Sequence, residues 1–225
     1  MPTSKKIKVT KNGPYQVIGS VPVNELRFVP NAKGASVDYE EVKKYPVKES
    51  YYLCRCGMSK NKPFCDNTHI SIGFNGTETA KHSTYENEAD FIEGILMDLK
   101  DDRVFCAGAR FCDTKSGIWN LVTTAGNEDA KDIIKHQATH CPSGRLTAVT
   151  KEGEDIEPEL PQEISALYDT AAGTIAPLWV KGGIVVEDSQ GKTYEVRNRV
   201  TLCRCGKSEN KPFCNGSHLR TTEEL

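Results

Sequence analysis

The sequence contains the same pattern of three cysteines and one histidine twice. It reads CRCGMSKNKPFCDNTH from Cys54 to His69 and CRCGKSENKPFCNGSH from Cys203 to His218. Both copies have the spacing C-x-C-x8-C-x3-H without a gap. Thiolates and imidazoles hold soft and borderline metals, so the repeat predicts two metal sites with one local structure.

The remaining cysteines form a third group. The chain has nine cysteines, and those outside the repeats are Cys106, Cys112 and Cys141. Three groups of three indicate three metal sites. Disulfide knots are the alternative, but the N-terminus MPTSKKIKVTKNGPYQV has no apolar signal segment. We therefore expect a cytoplasmic chain with reduced thiols.

Charge and hydropathy narrow the class of protein further. Lys plus Arg number 29 and Asp plus Glu number 31, with a pI of about 6.2. Nucleic-acid and anionic-membrane binders usually carry a basic excess, so neither partner is expected. No apolar run is long enough to span a bilayer. No Ser-His-Asp set, P-loop or nucleotide-binding glycine pattern is visible, so we do not expect an enzyme.

The repeat extends upstream of the cysteines. GPYQVIGSVPV (13–23) and APLWVKGGIVV (176–186) both alternate apolar residues around a glycine turn, which predicts strand, turn and strand. A β-like run then leads into each motif. We therefore divide the chain into a first half (1–82), an insert (83–165) and a second half (166–225), with the two halves packed together.

The insert has a mixed pattern. Residues 90–106 predict a strand that ends at Asp101 and Asp102, 116–124 (SGIWNLVTT) a strand, and 144–150 another strand. Residues 127–138 (NEDAKDIIKHQA) predict a helix with Asn127 as its N-cap. Residues 161–171 (PQEISALYDTA) predict a last short helix before the second half.

The spacing within each motif favours paired ligands. Two residues flanking a third on a strand point to the same side, so Cys54 and Cys56 can share one metal atom. Cys65 and His69 are four residues apart, which places both on one face of a helical turn. Asp66 is placed to cap that turn, as is Asn215 in the second copy. A Cys3His zinc site has the same ligands and stays open as an alternative.

The full spacing C-x-C-x2-S-x3-P-x-C-x3-H, with Ser59, Pro63, Ser208 and Pro212 in the fixed places, resembles the CDGSH iron–sulfur domain. The resemblance implies two [2Fe-2S] clusters and a β-rich, pseudo-twofold, strand-swapped unit built within one monomer. It also implies that Asn67 stands where the family has Gly, and Asn215 where it has Asp. The ligands that it implies are Cys54, Cys56, Cys65 and His69 in the first site, and Cys203, Cys205, Cys214 and His218 in the second.

The central group resembles a divergent single-cluster ferredoxin domain. CAGARFC (106–112) and Cys141-Pro142 match its cysteine loop and its distal cysteine, with Ala109 in place of the middle cysteine. The resemblance implies a [3Fe-4S] cluster, or a [4Fe-4S] cluster with a non-cysteine ligand such as His140 or Asp113. The alternative is a ferredoxin-like α+β insert that has lost its cluster and keeps three buried thiols.

Together these features predict an α+β iron–sulfur protein that transfers electrons to a redox partner protein. A histidine in place of a thiolate raises the reduction potential of a [2Fe-2S] site, which suits this role. Storage or delivery of clusters to an apo-acceptor protein is the second hypothesis, and a structural zinc protein is the third. Four lysines (Lys60, Lys62, Lys207 and Lys211) either guide an acidic partner or solvate the loops.

Overall fold

The computed structural model describes residues 4–220. In this part of the chain the strands are β1 (Lys6–Val9), β2 (Tyr15–Ile18), β3 (Val23–Pro30), β4 (Ser36–Lys44), β5 (Ser50–Leu53), β6 (Asp90–Ile92), β7 (Asp98–Asp101), β8 (Leu146–Val149), β9 (Asp155–Ile156), β10 (Ile164–Asp169), β11 (Thr174–Lys181), β12 (Val185–Glu187) and β13 (Arg199–Leu202). The α-helices are α1 (Thr68–Ser71), α2 (Tyr85–Glu88), α3 (Ile118–Thr124) and α4 (Glu128–Thr139). Single 3₁₀ turns cover Arg103–Phe105, Phe111–Asp113 and Ser217–Leu219.

The strands form three sheets. The first has the order β12-β1-β2-β5 and the second the order β13-β11-β10-β3-β4. The third, β6-β7-β8-β9, lies in the insert and is antiparallel throughout. The molecule is therefore a mostly β structure of the α+β class, as the sequence predicts.

The first and second sheets each contain strands from both ends of the chain. β1 pairs with β12 in parallel, with Lys6 opposite Val185. β3 pairs with β10 in parallel, with Val23 opposite Ile164. Strands from the two ends of the chain are thus joined by backbone hydrogen bonds as well as by side chains.

A single hydrophobic core lies between these two sheets. The buried side chains come from both halves of the chain. They include Ile7, Val17, Leu53, Ile164, Leu178, Val200 and Leu202. This core fixes the ends of β5 and β13, where the two cysteine motifs begin.

The insert confirms part of its predicted structure. The helix predicted at 127–138 is α4, and the Asn127 side chain accepts a hydrogen bond from the backbone N–H of Ala130 at 2.9 Å. The strand predicted at 144–150 is β8. The single strand predicted within residues 90–106 is instead two antiparallel strands, β6 and β7, with a turn between them.

Two predictions were wrong. Residues 118–124 form α3 rather than a strand, because Ile118, Leu121 and Val122 lie on one helical face and pack against the insert core. Residues 164–169 form β10 rather than a helix. β10 lies between β11 and β3 with both faces covered, so its apolar residues do not alternate with polar ones.

None of the helices within residues 4–220 combines the length and the apolar character needed to cross a membrane.

Candidate metal centres

Each cysteine motif begins directly after an edge strand of the β core. β5 ends at Leu53 and β13 ends at Leu202, so the first cysteine of each motif follows at once. The loop then returns to the strand: the Cys54 N–H donates to Pro63 O at 2.8 Å and the Cys65 N–H donates to Tyr52 O at 2.9 Å. This closure brings the third cysteine back beside the first two.

The second motif closes in the same way. The Cys203 N–H donates to Pro212 O at 2.8 Å and the Cys214 N–H donates to Thr201 O at 2.9 Å. Phe213 bridges to Leu202 as Phe64 bridges to Leu53. The two motifs therefore share one local structure, as the repeat predicts.

The serine of each motif holds the loop from inside. Ser59 Oγ donates to Phe64 O at 2.7 Å and accepts the Asn61 N–H at 3.0 Å. Ser208 Oγ donates to Phe213 O at 2.6 Å and accepts the Asn210 N–H at 3.0 Å. Both serines are buried, so these bonds replace the water that the loop backbone would otherwise need.

A tight turn positions the histidine of each motif. Asn67 and Gly216 occupy equivalent places and have φ angles of 69° and 81°, so Asn67 adopts the left-handed conformation expected for it. Asp66 accepts hydrogen bonds from the Lys60 and Thr68 N–H groups at 2.8 and 3.0 Å. Asn215 accepts the Ser217 N–H at 3.2 Å and does not have the carboxylate charge.

The four donors of each motif lie as two pairs. In the first motif Cys54 Sγ is 3.9 Å from Cys56 Sγ, and Cys65 Sγ is 3.4 Å from His69 Nδ1. In the second motif both corresponding distances are 3.6 Å, for the pairs Cys203–Cys205 and Cys214–His218.

These distances fit one tetrahedral metal per pair. At a metal–sulfur distance of 2.3 Å, two sulfurs on one tetrahedral metal lie about 3.8 Å apart, and a sulfur and a nitrogen about 3.6 Å apart. Within residues 4–220, no group of three or more Cys, His, Asp and Glu side chains is placed to hold a single ion. The arrangement of donors is therefore pairwise.

Burial keeps most of the thiols protonated in the metal-free chain. It raises the pKa of Cys56, Cys65 and Cys214. In the pair of the second motif, the hydrogen bond from Cys205 lowers the pKa of Cys203 to about 6. Because metals bind thiolates, loading of either motif releases protons.

The histidines differ in their surroundings. His69 is half-buried, and a Cβ placed on Gly13 would lie 3.6 Å from its Nε2. His218 Nε2 is buried and has no hydrogen-bond partner among the described residues. The pKa of His218 is lowered to about 4, mainly by burial; Asp169 opposes this shift, and Arg204 and Arg110 add to it.

The arginine between the paired cysteines of each motif was not identified from the sequence. Arg55 and Arg204 are each only 2% exposed, and they bind backbone carbonyls rather than carboxylates. Each also has one buried guanidinium nitrogen without a partner among residues 4–220. The repeated C-R-C sequence was the available signal, since an arginine stands at the same place between the paired cysteines of both motifs.

A buried guanidinium without a carboxylate is costly unless negative charge lies nearby. In the sequence Cys54 and Cys56 flank Arg55, and Cys203 and Cys205 flank Arg204, so metal-bound thiolates would place negative charge in the same segments. The buried arginines therefore fit motifs that carry anionic metal centres.

The two motifs meet at the glycine that follows each cysteine pair. A Cβ on Gly57 would lie 2.8 Å from the Cys205 carbonyl oxygen, and a Cβ on Gly206 would lie 2.9 Å from the Cys56 carbonyl oxygen. Tyr15, from the first half, donates to the Cys203 carbonyl at 2.7 Å. The two centres are therefore neighbours across the contact between the halves.

The central cysteines line one cavity in the insert. Cys106, Cys112 and Cys141 surround a volume of about 160 Å³, with Ala109 on its wall at the place of the missing cysteine. Arg145 also lines it and donates to Asp101 at 2.6 Å. The sequence-predicted triplet is thus brought together.

The two non-cysteine candidates differ in position. Asp113 lies on the cavity wall, with its Oδ1 3.6 Å from Cys112 Sγ. His140 is not among the described residues that line the cavity. Its ring stacks on His136 at 3.8 Å, and its Nδ1 lies 2.9 Å from the His136 carbonyl. Asp113 is therefore the better placed of the two.

The central cavity also adjoins the second motif. A Cβ on Gly216 would lie 3.2 Å from the Cys106 carbonyl oxygen. The rings of Phe105 and Phe213 meet edge to face at 5.2 Å. The three cysteine groups consequently lie in series: first motif, second motif, central triplet.

Comparison with known families gives two matches. The family described as iron-binding zinc finger, CDGSH type, matches residues 12–70 and 176–219. The family described as divergent 4Fe-4S mono-cluster matches residues 92–151. No curated protein and no solved structure matches the chain. The matched segments contain all three cysteine groups, and the chain is therefore an iron–sulfur type protein with two CDGSH segments around a divergent 4Fe-4S mono-cluster segment.

Proposed function

We propose that the chain is an electron-transfer protein with two [2Fe-2S] centres, one in each CDGSH segment. The observation that carries this proposal is that the donors pair at distances that fit one tetrahedral metal per pair, while no three of them within residues 4–220 gather around one ion. A structural zinc site would gather all four donors around one ion, whereas a two-iron centre uses two donors for each iron. When bound, such clusters supply one-electron chemistry.

The chain's own residues would hold and tune the centres. Cys54, Cys56 and Cys65 would bind through sulfur and His69 through Nδ1, with the equivalent residues in the second motif. Arg55 and Arg204 would compensate the thiolate charge and so ease the uptake of an electron. The serial arrangement of the three cysteine groups supports a role in moving electrons rather than in turning over a substrate.

We further propose that the flanking halves form a pseudo-twofold, strand-swapped unit. In the first sheet β5, β2 and β1 are neighbours in that order, and β12 extends them as a parallel strand. In the second sheet β13, β11 and β10 follow the same order, and β3 extends them as a parallel strand. The reciprocal Gly57 and Gly206 contacts support the same relation. We infer that the insert is a ferredoxin-like domain that can hold a [3Fe-4S] or [4Fe-4S] cluster through Cys106, Cys112 and Cys141.

The test is iron and acid-labile sulfide per chain on anaerobically purified protein, with EPR before and after dithionite. Four irons per chain, with no EPR signal before reduction and [2Fe-2S] signals after it, support two centres and an insert without a cluster. Seven or eight irons support a third cluster, and a signal in the oxidised sample identifies it as [3Fe-4S]. Zinc in place of iron overturns the proposal.

Delivery of clusters to an apo-acceptor protein is the second candidate function. The observation that favours it is the half-buried position of Cys65 and His69, which leaves one side of the first centre open. Repeated reduction and oxidation without loss of iron supports electron transfer. Net transfer of iron and sulfide to an apo-ferredoxin at neutral pH supports delivery.

A further inference from the structure

The two motifs share a local structure but differ in what covers them. The insert loop 104–108 packs against the second motif. Asn210 Nδ2 donates to Val104 O at 3.2 Å, and Phe105 meets Phe213. Leu219 lies against Gly108 so closely that a Cβ there would be 2.3 Å from Leu219 Cδ1. The Cys214–His218 pair of the second centre is therefore enclosed.

The same face of the first motif is open. Ile70 occupies the position equivalent to Leu219 and is 72% exposed. Cys65 is half-buried, whereas the equivalent Cys214 is only 2% exposed. Among the described residues, no hydrogen bond joins the insert to the first motif.

An arginine holds the covering loop in place. Arg110, at the end of this loop, donates to both oxygens of Asp169 at 2.7 and 2.8 Å. Asp169 ends β10 in the second sheet and its side chain is fully buried. The cover is thus fixed to the β core and does not depend on loop contacts alone.

From this contrast we propose that the insert is a cover that retains the second centre, while the first centre, which has no such cover, releases its iron more readily. The proposal rests on the proposed function, since both motifs must hold iron.

The experiment measures iron release from the full chain to excess EDTA at neutral pH, followed by loss of visible absorbance. We expect two phases, the faster from the first centre. Cys65→Ser and Cys214→Ser, which each leave one intact CDGSH centre, assign the phases. Leu219→Ala should accelerate the slow phase by about fivefold, because losing the apolar contact of one half-buried leucine makes local opening of the loop easier.

Ile70→Ala is the matched control, since it removes the same amount of side chain at the equivalent place in the open motif. It should leave both phases unchanged. Where Leu219→Ala fails to fold, Gly108→Ala displaces Leu219 instead, and Gly117→Ala serves as its control. Gly117 also has a positive φ, but its nearest neighbour to a Cβ is 3.8 Å away.

The outcomes separate this inference from the proposed function. The proposal that the insert covers the second centre is overturned by equal release rates from the two single-centre variants. It is also overturned if neither Leu219→Ala nor Gly108→Ala changes the slow phase. Absence of iron from both motifs overturns the proposed function instead. Faster release confined to the second centre supports the cover.

Discussion

At the scale of single residues, the buried arginines distinguish the two CDGSH segments from the rest of the molecule. Arg199, the other fully buried arginine among the described residues, binds the Glu157 carboxylate at 2.6 Å, and the half-buried Arg110 binds Asp169. Arg55 and Arg204 have no carboxylate partner among the described residues. Their positive charge would be balanced by the thiolates of the metal-loaded motifs. Arg55 and Arg204 should therefore affect the reduction potentials more than the stability of the fold.

Arg55→Met should lower the reduction potential of the first centre. Reduction adds negative charge, which the guanidinium stabilises by an amount on the order of 1 kcal/mol. The measurement is an EPR-monitored redox titration, with Arg27→Met as control because Arg27 is exposed and pairs with Glu40. An unchanged potential in Arg55→Met would show that the guanidinium does not act on the centre.

At the scale of helices and strands, the sequence predicts structure best where the spacing of apolar residues matches only one type of element over its whole length. The α4 helix, the strand–turn–strand repeats and β8 were predicted because capping, alternation and glycine turns agree there. α3 was missed because its β-branched residues resemble a strand, although Ile118, Leu121 and Val122 have helical spacing. β10 was missed because a strand buried on both faces has no alternation to read.

The candidate sites were easier to predict than the elements that connect them. Metal ligands need fixed spacing in sequence, so the cysteine triplets could be grouped directly. The pairing of Arg110 with Asp169 could not be predicted, because these residues are distant in sequence and meet only through the fold. That pair joins the insert loop to β10 and can be tested on its own.

Asp169→Asn should lower the free energy of unfolding by about 2–3 kcal/mol at pH 7, because it leaves a partly buried guanidinium unpaired. Burial alone would raise the pKa of Asp169, but hydrogen bonds from Arg110 and the backbone outweigh it and hold the pKa below its ordinary value. The contribution is therefore complete above about pH 4 and is lost as the pH falls through the lowered pKa.

Urea unfolding of both proteins at several pH values measures this difference. The gap between wild type and Asp169→Asn should close in acid. Asp155→Asn is the control, since Asp155 pairs with Lys100 at the surface, where an ion pair contributes about 1 kcal/mol or less. A gap that stays constant down to pH 2 would contradict the assigned role of the carboxylate.

At the scale of the whole molecule, the sequence predicts that the halves pack together but not how. The parallel pairs β1–β12 and β3–β10 join segments far apart in the chain. Strand patterns specify which face is buried but do not specify the neighbour. The consequence is that the two CDGSH segments are held side by side, with Gly57 and Gly206 as their points of closest approach.

Gly57→Ala should therefore weaken both centres at once. Its Cβ would stand 2.8 Å from the Cys205 carbonyl oxygen, so the two motifs must move apart. Gly34→Ala is a close control, because Gly34 has the same φ of 81° but no atom within 4 Å of the added Cβ. Both substitutions carry the left-handed backbone cost of about 1–2 kcal/mol, and only Gly57→Ala adds the clash.

The measurements are iron per chain and urea unfolding for both variants. We expect Gly34→Ala to load like the wild type and Gly57→Ala to lose iron from the second centre as well as the first. The second-centre loss is resolved in a Cys65→Ser background, where only that CDGSH centre remains. Loss confined to the first centre would mean that the motifs are close in space but independent in stability, and that the shared core alone joins the halves.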